Sequence, residues 1–272
     1  MKRAFSFTKK NFIELGRDPA FCVVAVIFPF IFIILLTLIN KSGSSETGVV
    51  AWEFLNYTSL IPSTMVVSSA LVMYFMAVLV SKDRKSSLLK RLYVSPMKTP
   101  EFLVGYFIIG VVIGIVLLLL SFFGGWLIAA CFGDCTYFSK NPYFSFGQGM
   151  LLILSQIPIL LTLLFFGILI GSFLDDKAAP GVCAILLILV GLLGGCFFSM
   201  ESSGSFEIFG RCLPFYPSVY IGRVITGSIK SVSHYHYVWD DVCSIGIATI
   251  FAYLILNVVL SNVIFSIQCK RQ

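Results

Sequence analysis

Six long runs of apolar residues dominate the hydrophobic pattern of this 272-residue chain. None of them contains Asp, Glu, Lys, Arg or His. Each is long enough for a helix to cross a hydrocarbon core of about 30 Å, which takes about 20 residues. The runs cover residues 20–40, 57–81, 102–130, 149–174, 178–200 and 242–268. The pattern predicts an all-α polytopic membrane protein, with six transmembrane helices in a single domain over residues 1–272.

The composition supports this class. Hydrophobic residues make up 58% of the chain and charged residues 12%, whereas soluble domains have about 45–50% apolar and about 25% charged residues. Because the six runs and their connections use most of the chain, no room remains for a large soluble catalytic domain.

Basic residues are unevenly distributed between the predicted connections. If the N-terminus is cytoplasmic, fourteen of the 19 Lys and Arg residues lie in cytoplasmic segments and five in outer segments. This asymmetry predicts a plasma or inner membrane protein with both termini in the cytoplasm. It also accounts for the net charge of +6, which therefore does not indicate a nucleic-acid partner.

The N-terminal residues 1–18 have the pattern of an amphipathic helix on the membrane surface. Lys10 and Glu14 are spaced as an i,i+4 ion pair on its polar side. A cytosolic partner and anionic membrane lipid are equally good explanations of this helix. Its apolar side holds Phe5, Phe12, Leu15 and Gly16.

A second amphipathic segment follows the second run, at residues 82–101. Ser95-Pro96 ends its helical pattern, because the residue before Pro avoids the α region. The segment is predicted to dock on a partner, or alternatively to rest on lipid as a basic juxtamembrane helix. The apolar residues at helical spacing are Leu88, Leu89, Leu92 and Tyr93.

The longest outer connection, residues 201–241, mixes aromatic residues with Pro and Gly. This mixture predicts short re-entrant or interfacial helices. His234 and His236 lie there without a third evident ligand, so we predict no metal site. In another outer loop, Cys131 and Cys135 are compatible with either a disulfide or two free thiols.

Sequence motifs for catalysis are absent. There is no G-x-x-x-x-G-K-[ST] loop for nucleotide phosphates, no H-E-x-x-H and no G-x-S-x-G. We therefore predict that the chain is not an enzyme and has no catalytic residue, cofactor or metal of its own. Proton- and ion-coupled carriers usually place an ionisable residue inside the membrane, and the six runs contain none. A secondary carrier, or a membrane scaffold or immunity protein, remains the alternative to a subunit of an ATP-driven transporter.

Several short motifs, in order and spacing, resemble the permease subunits of ABC type-2 transporters over nearly the whole chain. The family commonly has a Gly and a Glu in the basic stretch after the second span, and both are replaced here. The motifs are Arg17-Asp18-Pro19, Phe28-Pro29, the stretch from Arg84 to Leu92, Ser95-Pro96, the stretch from Glu101 to Gly105, and a Pro-x-x-Tyr…Arg element between Leu213 and Arg223.

The resemblance implies a half-transporter that pairs with a second permease chain, as homodimer or heterodimer. Two separate ATPase subunits would bind ATP and Mg²⁺ and drive export. An aromatic-rich interior without charge would suit a hydrophobic or amphipathic cargo such as a drug, an antimicrobial peptide or a lipid-like compound. The ATPase-coupling residues implied are Phe12, Glu14, Arg17, Leu88, Leu89, Arg91, Leu92 and Tyr93. The implied pathway residues are Met65, Ser68, Ser69, Met73, Phe197 and Phe198, for which ordinary helix packing is the alternative explanation.

Overall fold

The structure is a computed structural model that describes residues 2–43, 49–85, 99–132, 146–197, 205–226, 229–230, 235–236 and 239–270. These residues are mainly helical. The elements are α1 (Lys2–Arg17), α2 (Pro19–Gly43), α3 (Val49–Lys85), α4 (Thr99–Phe132), α5 (Phe146–Phe173), α6 (Ala179–Leu193), α7 (Ser205–Cys212), α8 (Phe215–Ile225), β1 (Ile229–Lys230), β2 (Tyr235–His236) and α9 (Asp241–Lys270).

Four helices in the described part of the chain are long and apolar enough to cross a membrane: Leu60–Arg84, Glu101–Leu127, Gly147–Phe173 and Asp241–Ile264. They belong to α3, α4, α5 and α9. Two shorter apolar helices, Val23–Leu35 and Ala179–Leu193, correspond to the first and fifth apolar runs. The predicted class of helical membrane protein is confirmed, and the count of six spans stays a prediction.

The fifth run forms a shorter helix than expected. A helix was predicted over residues 178–200, but α6 ends at Leu193. Its 15 residues span only about 22 Å at 1.5 Å per residue. Gly195 has a φ of 65°, a left-handed conformation that Gly adopts without strain, and the Cys196 N–H bonds to the Gly191 carbonyl at 3.0 Å. This hydrogen-bonded glycine turn stops the helix, as at many helix C-termini.

Helix α3 is the centre of the bundle. It contacts α2, α4, α5, α6 and α8. In its most apolar 18-residue stretch 89% of the residues are buried, against 22% in that of α9. The crossing with α5 is close because Gly167 and Gly171 of α5 lie against the backbone of α3. A Cβ at Gly167 would approach the Met73 Cα to 2.8 Å, and one at Gly171 the Ala77 Cα to 2.9 Å. The α3–α5 contact therefore requires small residues at both positions.

Helix α3 also continues past the predicted end of the second span. It runs from Val49 to Lys85, so residues 82–85 of the predicted coupling segment 82–101 extend the transmembrane helix. Residues 86–98 lie outside the described part of the chain.

The outer segment 201–241 contains the expected short helices, α7 and α8. Helix α8 packs among α3, α5, α6 and α9, and all its residues from Tyr216 to Arg223 are buried. The predicted helical class is confirmed, and the described residues add one small feature to it. Two short strands pair antiparallel in this segment, with Ile229 opposite His236 and Lys230 opposite Tyr235.

Candidate functional site

A buried carboxylate joins three helices at the predicted cytoplasmic end of the bundle. Asp83 of α3 is only 1% exposed. It accepts hydrogen bonds from the Tyr106 hydroxyl at 2.8 Å, the Lys10 ammonium at 3.1 Å and the Asn11 amide at 3.4 Å. We call these four residues the Asp83 cluster. Buried charges are stable only when they are paired and hydrogen-bonded, so the cluster fixes α1 and α4 to α3.

Aromatic packing strengthens the same junction. The Phe7 ring of α1 meets the rings of Phe102 and Tyr106 edge to face, with centroids 5.7 and 5.1 Å apart. The Thr8 hydroxyl donates to the Gly105 carbonyl at 3.4 Å. Edge-to-face rings at these separations attract beyond the area that they bury. Helix α1 is therefore held to α4 by both polar and aromatic contacts.

The side of α1 that packs on the bundle differs from the predicted apolar side. Phe7, Thr8 and Asn11 are buried, whereas Phe12 is 54% exposed and Gly16 is also exposed. Two contacts favour this orientation: the burial of Asp83 requires hydrogen-bond donors such as Asn11, and Phe7 packs on the aromatic rings of α4. Of the predicted apolar side, Leu15 alone among the described side chains is partly buried against the core.

The predicted coupling residues of α1 lie on the remaining surface of that helix. The expected Lys10–Glu14 pair is present at 2.9 Å. Partial burial lowers the pKa of Lys10, but the hydrogen bonds and charges of Glu14 and Asp83 outweigh it, so its pKa lies above the ordinary value. Arg17 and Phe12 are exposed. Leu88, Leu89, Arg91, Leu92 and Tyr93 lie outside the described residues.

At the opposite end of the bundle, two hydrogen bonds between Ser218 of α8 and Gln156 of α5 hold α8 in place. The Ser218 hydroxyl donates to the Gln156 Oε1 at 2.9 Å, and the Gln156 Nε2 donates to the Ser218 carbonyl at 3.2 Å. A side-chain Cβ at Gly222 would lie 2.5 Å from the Cβ of Pro62, so α8 also lies directly against α3. These contacts seat the short helix inside the bundle.

Arg223 is a buried cation at the end of α8, with 5% exposure. Its Nη2 donates to the Ser63 hydroxyl at 3.3 Å and to the Gly195 carbonyl at 2.8 Å. Its Nε and Nη1 have no hydrogen-bond partner among the described residues. Arg223 thereby links α8 to α3 and to the glycine turn after α6. The prediction of a charge-free interior needs correction here, because the fold inserts this residue of the outer segment between spans.

The implied pathway residues of α3 lie in the middle of the chain's own core. Met65, Ser68, Ser69 and Met73 are all buried, and the Ser69 hydroxyl donates to the Met65 carbonyl of its own helix at 2.9 Å. The Phe197 ring packs on Phe32, which is distant in sequence, with centroids 5.5 Å apart. Phe198 lies outside the described residues. The structure thus places the four α3 residues in the buried interior of the bundle, and their role in transport stays a prediction.

Candidate metal sites are not found in the described part of the chain, which contains no group of three or more His, Cys, Asp and Glu residues that could hold an ion. The structure instead adds residues that sequence reasoning missed. Tyr106 and Gln156 lie within apolar runs, and Asp83 lies just after one. No motif distinguishes these three residues from others in or next to a membrane helix. A polar side chain in or next to such a run was the available signal, since such residues usually face protein rather than lipid.

The comparison with protein families agrees with this architecture. A model described as "ABC-2 family transporter protein" matches residues 53–267, well over half of the chain, including α4–α8 and most of α3 and α9. A comparison with curated proteins finds no significant match. The family consists of membrane subunits that are not themselves ATPases. The chain therefore belongs to the ABC-2 transporter family.

Proposed function

We propose that this chain is the permease of an ATP-driven exporter for an amphipathic or hydrophobic cargo. ABC-2 permeases in general work with ATPase subunits. The observation that carries the proposal, beside the family match, is the Asp83 cluster. It couples a surface helix, α1, to the helix at the centre of the bundle, and this is the connection that a mechanical input from a partner requires.

The proposed mechanism starts on partner chains. Two ATPase subunits bind ATP and Mg²⁺ and close, and this movement pushes α1 and the segment 82–101. Because α1 is bonded to α3 through Asp83, the push reaches a helix that contacts α2, α4, α5, α6 and α8. A second permease chain, identical or different, completes the pathway in the plasma or inner membrane.

Exposed residues are the proposed contact surface for the ATPase. Phe12 and Arg17 are exposed, and Glu14 is held by Lys10. Aromatic side chains and Arg are enriched at protein–protein interfaces. We propose that they act with Leu88, Leu89, Arg91, Leu92 and Tyr93 of the following segment.

For the pathway, we propose that the α3 residues Met65, Ser68, Ser69 and Met73, with Phe197 and Phe198, become accessible when α3 moves. Methionine side chains adapt to varied apolar surfaces, which suits a cargo such as a drug, an antimicrobial peptide or a lipid-like compound. The buried Arg223 adds one site in the outer half where an anionic group on the cargo would be tolerated.

The first test is co-purification. The tagged chain is isolated from its native host in mild detergent and in lipid nanodiscs, and the eluate is assayed for ATP hydrolysis. We expect an ATPase in stoichiometric amount with vanadate-sensitive hydrolysis. A clean preparation without ATPase in both media, or transport driven by an ion gradient without ATP, would overturn the proposal.

The coupling surface has its own test in the double substitution Leu88→Glu/Leu92→Glu. Charges at an apolar docking face prevent its burial, so we expect normal membrane insertion but loss of the ATPase from the purified complex. The matched control is Ile208→Glu/Phe209→Glu on α7, two exposed apolar residues at the predicted outer end, which should keep the ATPase bound. Full transport by the Leu88/Leu92 variant would contradict the docking role.

A further inference from the structure

A half-open groove of about 250 Å³ lies between the α1–α2 corner, α3 and the start of α6. Its wall is apolar and aromatic, with Leu15, Phe21, Tyr74, Phe75 and Val78 among the lining residues. Its rim is charged and consists of Glu14, Asp18 and Lys82. Unlike the contacts of the Asp83 cluster, which join parts of this chain, the groove leaves space for another molecule.

The groove lies at the depth of lipid headgroups. Helix α2 begins at Pro19, and Phe21 and Val24 follow two and five residues later, about 3 and 8 Å along the helix axis. The charged rim is therefore at the predicted membrane surface, while the apolar wall continues toward the hydrocarbon. Val24 is exposed at this wall. A ligand with a polar head and an apolar chain would match both parts.

The rim charges define the head. The Lys82 ammonium lies 3.4 Å from the Asp18 carboxylate, and the two side chains are 48% and 38% exposed. An exposed pair at this distance contributes little to stability, so a ligand can exchange with it at small cost. The second carboxylate, Glu14, already pairs with Lys10 at 2.9 Å. The lining of the groove thus carries charges of both signs.

A purely anionic head would meet Lys82 but be repelled by Asp18 and Glu14. A purely cationic head would be attracted by the two carboxylates but would take Asp18 from Lys82 and leave that ammonium without a counter-charge. A head that carries a phosphate and an ammonium satisfies both signs. We propose that the groove binds a zwitterionic phospholipid of the adjacent leaflet, with its phosphate at Lys82, its ammonium at Asp18 and Glu14, and the start of one acyl chain against Phe21, Tyr74 and Val78.

Bound there, the lipid contacts α1, α2, α3 and α6 at once. It therefore stabilises the same arrangement of α1 on α3. The inference concerns the isolated permease and does not depend on the proposed ATP-driven mechanism. Failure of one leaves the other in place, because lipid binding is measured without ATPase or cargo.

The test uses the purified full-length chain in detergent, titrated with phosphatidylethanolamine or with phosphatidylglycerol of the same acyl chains. Thermal unfolding is followed, since a ligand that binds only the folded state raises Tm as its concentration increases. We expect phosphatidylethanolamine to raise Tm at lower concentration than phosphatidylglycerol. Dodecyltrimethylammonium serves as the cationic probe and should give no comparable shift.

Two substitutions separate the contacts. Asp18→Asn should weaken phosphatidylethanolamine about tenfold, as expected for one charged hydrogen bond, and leave phosphatidylglycerol unchanged or stronger. Lys82→Gln should weaken both lipids. The control is the exposed pair of α7, through Glu207→Gln and Arg211→Gln, which lies outside the groove.

A third variant, Val78→Trp, fills the groove and should abolish the effect of both lipids while the protein still unfolds cooperatively. Equal effects of the two lipids on the unsubstituted chain, an unchanged preference in Asp18→Asn, or a larger shift with dodecyltrimethylammonium would each overturn the proposal.

Discussion

Asp83 and Arg223 are both buried charged residues, but their surroundings differ. From described residues, Asp83 receives three hydrogen bonds, one of them from the oppositely charged Lys10. Arg223 makes two hydrogen bonds to neutral groups and leaves Nε and Nη1 without a described partner. Removing one partner of a buried charge whose hydrogen bonds are satisfied lowers the stability of the fold, whereas a buried charge with unsatisfied groups is already unfavourable. Substitution should therefore cost much more stability at Asp83 than at Arg223.

For Asp83→Ala we expect a loss of about 2–4 kcal/mol of stability, because Tyr106, Asn11 and Lys10 lose their common acceptor. Tyr106→Phe should cost less, about 1–2 kcal/mol, since it removes one bond and keeps the ring beside Phe7. Thermal unfolding of the purified chain measures both. Asp175→Ala, at an exposed turn, is the control, and an equal effect there would contradict the structural role of Asp83.

For Arg223→Met we expect the unfolding temperature to change little, because relief from burying a cation offsets the two lost hydrogen bonds. If the cation instead acts in transport, ATP hydrolysis by the co-purified complex should lose its coupling to export. The exposed Arg211→Met provides the comparison. A drop in Tm as large as that of Asp83→Ala would show that Arg223 is chiefly structural.

At the scale of elements, the contact of α3 with α5 depends on two glycines spaced i,i+4, in the sequence Gly-Ile-Leu-Ile-Gly from Gly167 to Gly171. Small residues at this spacing let membrane helices approach closely. The Asn257 amide of α9 then bonds the Thr162 carbonyl of α5 at 3.3 Å. Helix α5 thus has one face for α3 and another for α9, and the first tolerates no larger side chain.

Gly167→Leu should therefore prevent the native α3–α5 crossing, since overpacking costs about 1–3 kcal/mol or more and the backbone at Met73 cannot retreat. Fluorescence-detected size exclusion should show aggregated or absent protein. Gly181→Leu on α6 is the matched control, because a Cβ there would meet no atom within 4 Å. A monodisperse Gly167→Leu peak with unchanged Tm would contradict the tight crossing.

At the scale of the whole molecule, the outer helices carry exposed apolar side chains, for example Ile31 of α2, Ile185 of α6 and Ile255 of α9, as expected for surfaces in contact with lipid or a second permease. The orientation of this bundle in the membrane is a prediction from the distribution of Lys and Arg. Its two ends differ in chemistry, with the Asp83 cluster at one and Arg223 at the other.

Cysteine labelling tests the orientation. Cys212 on α7 is exposed, whereas Cys183, Cys196 and Cys243 are buried. In a background without other cysteines, Cys212 should react with a membrane-impermeant maleimide added to intact cells. A single cysteine introduced by Ser87→Cys should react only after permeabilisation. The reverse pattern would contradict cytoplasmic termini.

Much of the architecture was accessible from the sequence because membrane-spanning helices must be long, apolar and free of charge. The apolar runs locate α3, α4, α5 and α9, the i,i+4 spacing anticipates the Lys10–Glu14 pair, and the mixed outer segment anticipates α7 and α8. The early end of α6 was not accessible, because it depends on the left-handed conformation of Gly195, and a glycine within an apolar run is equally compatible with a continuous helix.

The sequence by itself determined the class, the main helices and the family, since these follow from local composition, periodicity and motif order. Only the tertiary structure decided which faces are buried. It turned the face of α1 that holds Phe7, Thr8 and Asn11 toward the bundle, where Asn11 donates to Asp83, and it inserted α8 so that Arg223, a residue of an outer connection, lies between spans. Both outcomes depend on groups far apart in the chain, Lys10 with Asp83 and Ser63 with Arg223, and no local pattern encodes such pairings.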